Sequence, residues 1–305
     1  MFHRSRRALA AAAVTLAAGL VLTACGGTTN EDGQSKTNEE SSFNLDDVKV
    51  DDAAAAMLPA DLKSKGTLTV GTDTTYPPNE YIDSDGKTII GMDIDLIKAI
   101  GAKLGVEMEP QTAAFESIIP SIGSTYDLAI SSFTINDERM QVVDFVSYYN
   151  AGTLWAAAEG SDITPDTACG KSVAVQVGTV QEEELPGRSD KCVADGEDPI
   201  DIQPYDSQGD ATTAVVTGKA DAMLADLPVV IDAIRSNDGK LVEVGEMYDA
   251  APYGIALPKG NTAFADAVLA ALKSLQEDGT YDEILKKWSA EEGALDDPQI
   301  NPQGA

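Results

Sequence analysis

The chain has 305 residues, with 51 Asp and Glu against 21 Lys and Arg, a formal net charge of −30. An apolar share of 43% and a charged share of 24% are ordinary globular values, and the length suits two lobes of modest size. The acidic balance repels a phosphate backbone. The one histidine, His3, lies in a segment read below as a cleaved leader, so histidine-based triads and histidine-ligated zinc are excluded.

Arg4, Arg6 and Arg7 precede an apolar run from Ala8 to Leu22. That run is about fifteen residues, short of the ~20 a bilayer span needs, and fits a signal peptide over residues 1–24. It ends in Leu22-Thr23-Ala24-Cys25, which resembles a bacterial lipobox. In such lipoproteins the cysteine is diacylated and becomes the new N-terminus, so Cys25 is the expected lipidation site. A plain signal peptide with a chance cysteine is the alternative. Ser5-Arg6-Arg7 leaves both twin-arginine and general export open. Cleavage removes three arginines from a balance of −30 and leaves −33. Two acyl chains suffice to hold a protein to the extracytoplasmic face of a cell membrane. Residues 25–60 read as the lipidated cysteine and a flexible acidic tether, rich in Gly, Thr, Asn, Ser, Asp and Glu, with almost no apolar residue before Phe43.

Thr67–Gly71 is a β-type run, followed by a polar, proline-rich turn from Thr72 to Glu80. From Gly91, residues Ile94, Leu96, Ile97, Ile100 and Leu104 fall at helical spacing, with Asp93 and Asp95 in the first turn, where the helix dipole favours negative charge. Phe115–Ile122 is a short helix and Tyr126–Ile130 a buried-type strand. The alternation then repeats. Strands are expected at Ser172–Val177, Ile200–Tyr205, Ala220–Ala225 and Tyr253–Leu257. A short helix is expected to begin at Gly178-Thr179, with others at Asp210–Thr217, Leu227–Ile234, Ala263–Leu275 and Thr280–Trp288. Alternating β and α units argue an α/β sheet protein. Cys169 and Cys192 remain after lipidation, and exported cysteines usually pair; two buried free thiols are the alternative.

Several segments together resemble the bacterial extracellular solute-binding proteins of family 3, the amino-acid receptors of ABC importers. They are Gly91-Met-Asp-Ile-Asp-Leu-Ile through Leu104, Tyr126-Asp-Leu-Ala-Ile-Ser-Ser132, Asp137-Glu-Arg139, Val173-Ala-Val-Gln-Val-Gly-Thr179, Asp221-Ala-Met-Leu-Ala-Asp226 and Tyr253-Gly-Ile-Ala-Leu-Pro-Lys259, closed by Asp278-Gly-Thr-Tyr281 and Lys287-Trp288. The likeness covers about Leu62 to Ser289. Met92 and Ser147, the latter in place of the usual proline before Tyr148-Tyr149, depart from the pattern. The resemblance implies a periplasmic-binding-protein-like type II fold: two α/β lobes joined by two crossover strands, with a ligand cleft between them. Lobe 1 is then residues 61–152 and 253–290, lobe 2 is 153–252, and 291–305 form a C-terminal tail, with crossings near Ala151-Gly152 and Pro252-Tyr253.

An amino-acid receptor needs a cation and N–H donors for the carboxylate, an anion for the ammonium, and a side-chain pocket. Past the leader the chain has only Arg139, Arg188 and Arg235, and the family places its carboxylate-binding arginine at Arg139. A guanidinium offers two parallel bonds to a carboxylate. A local ion pair with Asp144 or Glu138 is the alternative. The resemblance places Thr134 and Thr179 as further carboxylate donors, Thr179 otherwise being a plain cap. It places Asp226 at the ammonium, its alternative being a helix cap. Tyr76 is an aromatic wall, and Phe115 a second wall or a core residue. Asp73 would meet the distal polar group of a basic or amide side chain, or else cap its turn. Gln176 and Ser132 complete the expected lining. The implied function is a lipid-anchored, monomeric receptor that binds a polar amino acid and delivers it to an ABC permease, without cofactor or metal. A sensing subunit for a separate signalling partner, or a dehydratase-like enzyme on the same fold, are the alternatives.

Overall fold

The computed structural model describes residues 41–302. The leader, Cys25 and the first part of the expected tether lie outside the described residues. After a 3-10 turn at Leu45–Asp47, α1 (Asp52–Met57) and α2 (Ala60–Lys65) lead into β1 (Thr67–Thr72). A small antiparallel sheet follows: β2 (Thr75–Tyr76), β3 (Glu80–Ile82) and β4 (Ile89–Ile90). Then come α3 (Met92–Leu104), β5 (Glu107–Thr112), α4 (Phe115–Ile118), β6 (Leu128–Ala129) and α5 (Asp137–Met140). A long strand, β7 (Val143–Ala158), carries the chain into a second half of β8 (Ser172–Gln176), α6 (Val180–Ala194), β9 (Asp201–Tyr205), α7 (Gln208–Val216), β10 (Ala222–Asp226) and α8 (Leu227–Ser236). A second long strand, β11 (Leu241–Pro258), returns, and α9 (Thr262–Glu277) and α10 (Thr280–Trp288) follow.

The large sheet runs β5-β1-β6-β11-β7-β10-β8-β9. β1 lies parallel between β5 and β6, and β8 parallel between β9 and β10. β7 and β11 run antiparallel through the middle, with Ala251 opposite Ala151 and register shifts between Val244 and Gly254. Those two strands join a core around α3, α9 and β1 to cores around β8 and β10. The fold is thus the expected type II arrangement. Parallel strands bring their carboxyl ends to one edge, where open α/β sheets bind ligands.

Sequence explains the main helix. Ile94, Leu96, Ile97, Ile100 and Leu104 are all buried, and Gly105 closes the helix in the left-handed region. Gly91, at φ 136°, is obligatory: a Cβ there would stand 2.0 Å from the Asn79 carbonyl oxygen.

The structure corrects two expectations. The tether does not extend to residue 60. Asp51 caps α1 through the Ala53 and Ala54 amides and accepts from the Ser274 hydroxyl, while Ala54 and Leu58 enter the core, with Phe43, Leu45 and Val48 packed against it. These scattered apolar residues supply the burial that the preceding polar stretch lacks. The helix after Thr179 is not short: α6 runs fifteen residues through Pro186, anchored by buried Leu185 and Cys192. Cys192 is bonded to Cys169, as expected, closing a loop of sequence separation 23.

Ser147 has a visible consequence. Its N–H donates to the Gln299 carbonyl at 2.9 Å and its hydroxyl accepts from the Gln299 amide at 2.9 Å, so the C-terminal residues lie along β7. A proline there would have no N–H to give.

Candidate ligand-binding cleft

Asp73 directly follows β1, Ser132 follows β6, Gln176 ends β8 and Asp226 ends β10. Strand polarity alone therefore gathers them at one edge. Arg139 comes from α5, and Thr179 caps α6. All nine expected side chains, Asp73, Tyr76, Phe115, Ser132, Thr134, Arg139, Gln176, Thr179 and Asp226, line one narrow cavity. Three further lining residues stand outside the expected ligand-binding set: Glu80, which the sequence offers only as an acid–base carboxylate for the enzyme alternative, Val180 and Gln181. The position of Gln181 in the first turn after the Thr179 cap was the available signal for that residue. Glu80 ends a polar turn and carries none.

Arg139 is buried. Its Nη1 donates to the Thr134 carbonyl and its Nη2 to the Gly178 carbonyl, both at 2.9 Å. Of the two alternative partners, Asp144 pairs with Lys259 at 2.9 Å, and Glu138 contributes its charge to Arg139 without a hydrogen bond to it. Its remaining donors have no protein hydrogen-bond partner among the described residues, and its guanidinium carbon lies 5.5 Å from the Phe115 ring centroid. Phe115 in turn stacks on Phe133 at 5.0 Å, so it serves both as wall and as core. Burial lowers the Arg139 pKa, and the charge of Glu183 and Asp226 opposes that.

Asp226 stands at the N-cap of α8 yet makes no capping bond. Its Oδ2 accepts from the Tyr76 hydroxyl at 2.8 Å and its Oδ1 from Gln181 Nε2 at 2.9 Å. Burial raises its pKa, while these donors and Arg139 pull the other way. Asp73 accepts from Thr75 N at 2.9 Å, Phe115 N at 3.1 Å and Gln176 Nε2 at 2.7 Å, so it caps its turn and faces the cavity at once. Burial raises its pKa as well. Thr179 accepts from Glu182 N and donates to the Gln176 carbonyl, which aims the first turn of α6 at the cavity.

Several of these bonds cross between the halves: Tyr76 to Asp226, Gln176 to Asp73, Arg139 to Gly178, and the Gln208 amide to Thr75 Oγ1 at 3.3 Å. The structure is closed over the cavity. Gly178 sits at φ 77°, and a Cβ there would meet Glu116 Cβ at 2.9 Å, so the two halves touch where only glycine fits.

An arginine with free donors and a buried acid on opposite halves can hold a zwitterion between them. Comparison with known proteins agrees. The model of "Bacterial extracellular solute-binding proteins, family 3" matches residues 68–291. The chain belongs to this family. Among curated family members, the chain is 41% identical over 252 residues to the "Arginine-binding protein ArgT" of Corynebacterium glutamicum, covering 81% of this chain and 82% of that one. It is 31% identical to the "L-cystine-binding protein TcyJ" of Escherichia coli K12, covering 74% and 84%. Among solved structures, "An ancestral arginine-binding protein bound to arginine" matches with a TM-score of 0.69 at 35% identity, covering 73% of this chain and 98% of that one. These relatives are named as amino-acid-binding proteins, and this solute-binding protein is likewise a binding protein rather than an enzyme.

Proposed function

We propose that the protein is an extracytoplasmic receptor for a cationic amino acid, arginine foremost, which it delivers to an ABC import permease. Anchoring through Cys25 after removal of residues 1–24 belongs to the same proposal. The observation that carries the ligand class is the charge of the cavity lining. It contains three carboxyl groups, Asp73, Glu80 and Asp226, against one guanidinium, Arg139. A zwitterion uses Arg139 for its carboxylate and Asp226 for its ammonium. Asp73 is left over with Glu80 beside it, and a positively charged side chain is the complement of that surplus. The arginine-binding relatives support the choice. The remaining α-amino-acid contacts fall to Thr134 and Thr179, with Tyr76, Phe115 and Ser132 around the ligand and Gln176 beside Asp73. In this account Tyr76 leaves Asp226 when the ligand ammonium arrives.

The test is a melting-temperature screen of the purified protein, unfolded and refolded to remove bound solute, against the common amino acids and cystine. At about 100 times its Kd a ligand adds roughly 2.7 kcal/mol to stability. Arginine, lysine or ornithine is expected to give the largest rise. A rise confined to acidic or apolar amino acids would overturn the role of Asp73, and a rise with cystine alone would move the assignment to that ligand.

A further inference from the structure

Glu80 and Asp93 form a buried carboxyl pair behind the ligand wall. Both are fully buried, and only Glu80 reaches the cavity. Asp93 Oδ2 accepts from Ser132 N at 2.9 Å and the Tyr148 hydroxyl at 2.7 Å, whereas its Oδ1 is buried without a hydrogen-bond donor. A buried carboxylate oxygen without a donor is costly. Glu80 and Asp93 interact as hydrogen-bonding neighbours, so a proton on Glu80 would supply Asp93 with a donor. The ionised form of Glu80 is also provided for. Ser131 Oγ accepts from the Asp73 amide at 2.9 Å, which leaves its hydrogen free for Glu80 Oε1 at 3.1 Å. Ser132 Oγ accepts from Asn79 Nδ2 at 2.8 Å and stands 3.3 Å from Glu80 Oε2. Ser132 is held for this at a positive φ of 51°, a strained conformation for a serine.

The titratable groups around Glu80 are Asp93 from α3, Asp73 beyond β1, Tyr76 from β2 and Tyr148 from β7. Among the described residues, no lysine or arginine hydrogen-bonds or ion-pairs with Asp73, Glu80 or Asp93. Like charges this close cannot all ionise in a dry site. We infer that Glu80 and Asp93 share one proton in the empty protein and that a cationic ligand side chain, entering beside Asp73, expels the Glu80 proton to solvent. The ligand's positive charge then replaces the proton's, and the two serine hydroxyls take over Glu80. Burial, with Asp93 beside it, raises the Glu80 pKa well above its ordinary value and that of Asp93 to about 6, in keeping with the unsatisfied Asp93 oxygen. This inference rests on the cationic-amino-acid reading above.

The experiment is calorimetric titration of the ligand-free protein near pH 7 in two buffers of different ionisation enthalpy, with arginine and with citrulline, its neutral near-isostere. Arginine is expected to release close to one proton per site and to weaken about tenfold for each pH unit of acidification. Citrulline, if it binds, is expected to release almost none. Glu80→Gln, whose amide can donate to Asp93, is expected to bind arginine with no proton release. Arginine binding without buffer dependence overturns this inference alone, as does equal release by arginine and citrulline. Absence of arginine binding overturns the function proposed above and this inference with it. Should Glu80→Gln not fold, the two-buffer result on the unaltered protein decides.

Discussion

In the proposed function Asp226 takes the ligand ammonium and Arg139 its carboxylate, and both side chains are buried. For such a group, removing the charge costs about 3 kcal/mol or more of binding, a Kd rise beyond about 100-fold. Asp226→Asn is therefore expected to abolish measurable arginine binding in calorimetry. Burial already disfavours the charged aspartate, so the empty variant is expected to melt no lower than the parent. Unchanged affinity would remove Asp226 from the ammonium. The residues facing the cavity were legible in the sequence because each sits at a strand end or helix cap inside a recognisable segment. Glu80 was not. Its partner Asp93 lies in the first turn of a helix, where an acid reads as dipole complement. Asp95 beside it does carry an ordinary partner set, accepting from Lys287 at 2.6 Å and Trp288 at 2.7 Å. Asp93 instead faces inward, to the Ser132 amide and the Tyr148 hydroxyl, partners distant in sequence.

At the scale of elements, β8 and α6 together bring Gln176, Thr179 and Gln181 to the cleft. The Cys169–Cys192 bond ties the far end of α6 to the segment before β8. A loop of that length is worth roughly 3 kcal/mol in the chain-entropy model, on the order of 5–10 °C for a protein of this size. Reduction, or replacement of both cysteines by serine, is expected to lower the melting temperature by that amount. A drop below about 1 °C would show that the pair contributes little. Helices with a strong apolar stripe, such as α3, α9 and α10, were legible almost to the residue. Residues 43–58 were not, because their apolar residues are sparse and their partners, α3 and α9, are distant in sequence. The path of the C-terminal residues along β7 is equally non-local, set by the free N–H of Ser147.

For the whole molecule, the buried carboxyls set the response to pH. Asp73, Glu80, Asp93 and Asp226 all have pKa values raised by burial, that of Asp93 to about 6. Between the unfolded and folded values of such groups the native state binds more protons than the unfolded chain, so stability increases as pH falls. Asp144 and Asp278 are lowered, each paired with a lysine, and lose their contribution only as pH drops below the ordinary carboxylate range. The ligand-free protein is therefore expected to be most stable in mildly acidic solution, its melting temperature rising from pH 8 to about pH 5. The formal charge of −30 pushes the same way through self-repulsion. Repeating the scan at about 1 M salt, which screens surface charge but not the buried groups, separates the two. A melting temperature that falls steadily over that range would contradict the buried-acid account.

The most direct test of the central claim is a crystal structure of the refolded protein with L-arginine. One arginine is expected in the cavity, its carboxylate paired with Arg139, its ammonium on Asp226 in place of the Tyr76 hydroxyl, and its guanidinium beside Asp73 and Glu80. An arginine bound with its guanidinium on Asp226, or a cavity left empty at saturating arginine, would contradict it.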